Sequence, residues 1–244
     1  MALGPNNKFN LQTARMDTSY AAEAGIDVGL RSYMLRVYNY MCIGLALTGA
    51  VAFGASTSAE LMQTLHGTPL KWVVMLAPVG LVFFLAARVH TLQPATAQTL
   101  FWVYAGLMGL SLSYIFLAYT GVSITRVFFI TAAAFAGLSL YGYTTKKDLS
   151  GFGTFLIMGV IGILIASIVN IFLESSALHF VISVLGVLIF AGLTAYDTQR
   201  IKAIYAEGDH ADVHEKKAIM GALTLYLDFI NMFIFMLQLF GNRE

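Results

Sequence analysis

The sequence predicts an all-α membrane protein, a bundle of seven transmembrane helices, and three observations carry that expectation. First, only 11% of the 244 residues are Asp, Glu, Lys or Arg, against about 25% in an ordinary soluble domain, while 58% are hydrophobic. Second, seven stretches totalling 140 residues contain a single charged side chain, Asp228. At the chain's average density they would hold about 15. An ionised group at the bilayer centre costs about 3 kcal/mol on insertion scales, so a lipid interior accounts for the gaps. Third, none of the stretches alternates polar and apolar as a barrel strand would, which leaves helices. The same composition argues against a soluble enzyme and a disordered chain. The net charge of +1 gives no electrostatic case for nucleic acid, and the lone Cys42 cannot form an internal disulfide.

In order, the expected spans are 37–55, 72–87, 98–120, 127–143, 152–173, 177–196 and 218–240. Most reach the length needed to cross about 30 Å of hydrocarbon. The second and fourth are short, and Lys71 and Arg126 can snorkel from their ends. Residues 1–30 read as a mobile polar tail with no signal-peptide core. Residues 31–241 form the membrane domain, and 242–244 a short end. The polar block 200–217 reads as a solvated loop between spans 6 and 7. His210 and His214 within it are four apart, but no His-Glu-x-x-His motif accompanies them, so no dedicated metal site is expected. Eleven of the 14 Lys and Arg fall on the side of the N-terminus, against Lys71, Arg126 and Arg243 on the other. Basic residues favour the cytoplasmic side, so the N-terminus is expected inside and the C-terminus outside. Ala46, Ala50 and Gly54 on span 1, and Ala105, Gly109 and Ser113 on span 3, offer small faces for helix packing. Asn170 and Asn231 read as interhelical glue.

Asp228 lies ten residues into span 7, about 15 Å deep. An acid there is a functional-site hypothesis by default. Asp197 follows span 6, and if that helix continues to about Tyr205 it is buried by some 12 Å. Two carboxyl groups at similar depth on adjacent antiparallel helices cannot both ionise cheaply. They share one proton and titrate in coupled steps. Losing that proton leaves two like charges unless a cation arrives, and hard carboxylate oxygens suit Ca²⁺. The plain alternative is an interhelical hydrogen bond that only holds the bundle together.

Leu225-Tyr226-Leu227-Asp228-Phe229-Ile230-Asn231, Tyr196-Asp197-Thr198-Gln199 and Lys146-Lys147-Asp148-Leu149-Ser150 resemble signatures of the Bax inhibitor-1 family, the transmembrane Bax-inhibitor-motif proteins, and the short loops look like its bacterial branch. The resemblance implies six outer helices around a central seventh, in the bacterial cytoplasmic (inner) membrane. It implies a calcium leak gated by pH through a di-aspartyl sensor, whose positions carry over as Asp197 and Asp228, also the possible cation-binding residues. Ca²⁺ is then the permeant ion, with no cofactor. A latching arginine in a bacterial relative matches Arg88 in Ala86-Ala87-Arg88-Val89. That relative's glutamate in span 2 has no counterpart in Met75-Leu76-Ala77-Pro78-Val79-Gly80.

Two rival readings differ in class. An intramembrane aspartyl protease would pair Tyr196-Asp197 with Gly-x-Gly-Asp, but Leu225, Tyr226 and Leu227 precede Asp228. No catalytic residues are therefore expected, and the protein reads as a non-enzyme. The other is a non-transporting interaction protein, since some bacterial relatives modulate a membrane-anchored ATP-dependent protease that the tail could grip.

Overall fold

The computed structural model describes residues 6–89 and 91–243, with side chains from residue 28 onward. The described residues form nine helices: α1 (Asn6–Ser56), α2 (Ala59–Gly67), α3 (Leu70–Arg88), α4 (Pro94–Leu112), α5 (Ile115–Ala118), α6 (Gly121–Thr144), α7 (Ser150–Leu173), α8 (Ser176–Ala203) and α9 (Ala211–Phe240). Seven segments are long and apolar enough to cross a membrane: Val28–Ser56 within α1, then α3, α4 with α5, α6, α7, α8 and α9. Helix α1 runs through residue 30 without a break, while most of the tail expected over 1–30 lies outside the residues whose side chains are described. The two short stretches lengthen to 19 and 24 residues because Lys71, Arg88 and Arg126 are helical too.

Local chemistry sets the breaks. Pro94 opens α4 at a position where its missing N–H costs nothing. Thr120 and Ser175 cap α6 and α8 by accepting the amides of Ser123 and Leu178. Glu174, at φ 48°, turns the chain out of α7. The short α2 lies between the first two spans. Ser58 caps it by accepting from Leu61 N, and Met62 and Leu65 bury its apolar face.

The polar block 200–217 is mostly helix, which corrects the loop expected there. Only 204–210 lie between α8 and α9. His210 is the N-cap residue of α9, and the His214 ring packs against Tyr33 and Tyr205, 6.4 and 5.3 Å between centroids. Lys217 donates to the Ile204 carbonyl and pairs with Asp209, folding this connection back along the first turns of α9.

Helix α9 is the axis of the bundle. It is the most deeply buried of the seven spans, and α7 and α3 are the least. It packs on α8, α1, α6 and α4. Ser183 Oγ lies 2.9 Å from the Gln238 side-chain amide, Gly186 lies against the Phe235 ring and Gly221 against Ile201, so α8 and α9 run antiparallel. One of the two small-residue faces packs: a Cβ on Gly109 would come within 2.7 Å of the Thr48 carbonyl on α1. The face of Ala46, Ala50 and Gly54 does not. These residues are exposed or face open space, because α1 and α6 both rest on α9 without forming a packed seam with each other. Asn231 donates to Leu227 O in its own helix, and Asn170 accepts from the amide of Ser175, the N-cap residue of α8, so it ties the end of α7 to the start of the next helix.

Candidate functional site

Asp197 lies six residues before the end of α8, about 9 Å along the axis. Asp228 lies mid-way along the apolar part of α9, and both are buried, at 7% and 4% exposed. The antiparallel register brings the two carboxyl groups together, within side-chain hydrogen-bonding reach. Two carboxylates have only acceptors, so a bond between them needs one proton. Oδ2 of Asp228 is buried and has no hydrogen-bond partner among the described residues. The pair thus has spare acceptor capacity in the buried interior of the bundle.

The structure does not bring Arg88 to this pair. Arg88 is exposed at the end of α3, which packs on α4 and α2. The cation that acts on Asp197 is Arg200, one turn further along α8. Among the described residues no group of three or more His, Cys, Asp or Glu side chains could hold a metal ion. A full Ca²⁺ shell takes six to eight oxygens, so two carboxyls offer a passing rather than a resident site.

Hydroxyl groups position α8 around Asp197. Thr198 Oγ1 donates to Thr194 O at 2.7 Å, so its remaining capacity is as an acceptor. Ser139 Oγ therefore donates to Thr198 at 2.9 Å, and Tyr38 OH to Ser139 at 2.5 Å. This clasp joins α1, α6 and α8 at the residue next to Asp197. At Gly142 a Cβ would overlap the Ala195 carbonyl, so α6 and α8 approach backbone to backbone there.

Gln199 joins two of the sequence motifs. Its Oε1 accepts from Leu149 N at 2.9 Å and its Nε2 donates to Lys147 O at 2.8 Å. The Lys146–Ser150 turn is thereby tied to the helix that carries Asp197. Asp148 accepts from Ser150 N, and these Ser150 contacts hold its carboxyl below the usual carboxylate range. Sequence reasoning found both acids but missed the clasp, Gln199 and Arg200. The legible signals were a serine inside a charge-free span and the polar residues that follow Asp197.

Residues 30–244 match the family model Bax1-I, described as inhibitor of apoptosis-promoting Bax1. A protein of Caulobacter vibrioides is 49% identical to this chain, covering 98% of it and 100% of the relative. A protein of Rickettsia prowazekii is 46% identical, over 93% and 96%. The inner membrane protein YbhL of Escherichia coli is 47% identical, over 88% and 94%.

Proposed function

The chain belongs to the Bax inhibitor-1 family, and on that premise we propose that it is a pH-sensitive calcium leak channel of the bacterial cytoplasmic membrane, gated by Asp197 and Asp228. The observation that carries the reading is the juxtaposition of the two buried carboxyl groups between α8 and the axial α9. With one shared proton the pair bonds and holds the two helices together. Without it, two like charges in low dielectric repel, and either the helices part or a divalent cation enters between them. The free Oδ2 of Asp228 is an oxygen such a cation could take. Arg200 supplies the standing counter-charge on Asp197, and Arg88 could act as a latch only through a rearrangement that carries α3 towards α8.

Purified protein in liposomes tests the proposal. Calcium flux should vary across about pH 6–8 in the wild type. Asp228→Asn and Asp197→Asn should each remove that dependence, since an amide cannot share the proton. An unchanged pH profile in Asp228→Asn overturns the gate.

A further inference from the structure

The open seam between α1 and α6 carries a second assignment, independent of any transport activity. The two helices rest on α9 but leave a lateral groove of ≈ 890 Å³ between them. That is at the large end of ligand sites, about 300–1,000 Å³. A second cavity of ≈ 290 Å³ shares Leu45, Ala46, Phe128 and Phe229 with it, so the opening continues along the seam. From Arg31 to Ala46 the larger groove spans 15 positions of α1, or about 22 Å. This exceeds the ~15 Å depth of one leaflet's hydrocarbon.

We propose that this groove binds the acyl chain of an anionic phospholipid, with its headgroup at Arg31 and its tail against Ala132, Ala136 and Phe229. The lining explains the tail. It is almost wholly apolar, and the hydroxyls of Tyr38 and Ser139 in its wall already bond each other. The alanines of both helices make the width: Ala46 and Ala136 are exposed, although the segments that carry them are long and apolar enough to lie in lipid. Charge explains the headgroup. Arg31 at the mouth is exposed and forms no ion pair among the described residues. Tyr143, which lines the groove, carries Lys202 over its ring, 4.8 Å from the centroid, and accepts from Lys202 at its carbonyl. Asp148, on the turn just beyond α6, is committed to the Ser150 amide. A phosphate with further negative charge therefore meets the Arg31 guanidinium at the mouth, with the Lys202 ammonium held against the lining residue Tyr143.

The test is native mass spectrometry of the detergent-released protein titrated with phosphatidylglycerol and with phosphatidylcholine of the same chains. The wild type should retain phosphatidylglycerol at least several-fold better. Arg31→Gln should bring the two lipids level. Ala136→Phe and, from the other wall, Ala46→Phe should remove binding of both, each checked for an unchanged helical spectrum. Two fillings from opposite helices keep the test standing if one variant misfolds. Equal retention of the two lipids by the wild type, or retention unaffected by either filling, overturns the assignment. So does a groove filled by a second copy of the chain, which would appear as a dimer mass without lipid. Calcium flux does not enter the readout, so this assignment and the channel reading can fail separately.

Discussion

At the scale of single residues, the membrane interior makes the direction of each hydroxyl proton an energetic fact. Thr48 donates its proton to Ala105 O at 2.8 Å, so Tyr226 OH must be the donor in its 2.7 Å contact with Thr48. Both side chains are buried, and the Tyr226 ring lies edge-on to Phe101 and Tyr104. The two partners are therefore unequal. Tyr226→Phe removes a donor and leaves only a lone pair of Thr48 unused, at about 0.5–1.5 kcal/mol. Thr48→Val keeps the shape but strands a buried phenol donor, at about 1–3 kcal/mol. Thermal unfolding in detergent should rank Thr48→Val below Tyr226→Phe, and the reverse order would show that the proton runs the other way. The same reasoning makes the Asp197–Asp228 contact depend on its proton, because a carboxylate pair has no donor of its own.

At the scale of elements, the fold depends on how α6, α7 and α8 are joined at one end. Gln199 is the joint: it reads both edges of the 147–149 backbone from a helix fifty residues away in sequence. Asp148 adds a local bond to Ser150 N, and its lowered carboxyl makes that bond sensitive to acid. The sign is that of a depressed carboxylate. Its contribution is complete above the ordinary Asp value of about 3.9 and is lost as pH falls through the lower folded value. The Gln199 bonds do not titrate. Gln199→Ala should therefore raise amide hydrogen exchange at Leu149 at every pH. Asp148→Ala should raise it at Ser150 near neutrality and converge with the wild type in strong acid. Exchange at Leu149 that does not respond to Gln199→Ala would remove the joint. An effect on the pH profile of flux is not expected from either, since neither side chain touches the carboxyl pair.

At the scale of the whole molecule, the charge-free stretches made the seven spans and Asp228 legible, because desolvation penalties write themselves into composition, whereas Asp197 came from the helix that runs on past the sixth stretch. What they could not convey were features without a charge signature. Helix α2 is short and amphipathic, the open α1–α6 seam is a property of packing, and the clasp around Asp197 is built of hydroxyls that the sequence scatters over three spans. Arg88 belongs here too, since sequence position alone does not say that α3 packs on α4 and α2. Charge also carries the one global property that the helices leave open, their direction across the membrane. Arg36 pairs with Glu215, and Tyr33 packs on Tyr205, so the start of the first span, the end of α8 and the start of α9 share one end of the bundle. The opposite end is closed by Thr120 N donating to Asn242 O and Asn242 N to Ser123 Oγ, with Arg243 over the Tyr119 ring. In the sequence eleven of the 14 basic residues fall on the side of that first end, and Lys and Arg near span ends resist translocation. That end is therefore expected in the cytoplasm. Alkaline phosphatase fused after Glu244 should be active outside the cell, and the same enzyme inserted between Lys146 and Lys147 should be inactive. Green fluorescent protein should give the opposite pattern. Phosphatase activity at Lys146 with none after Glu244 would invert the molecule and place the Arg31 mouth of the groove in the outer leaflet.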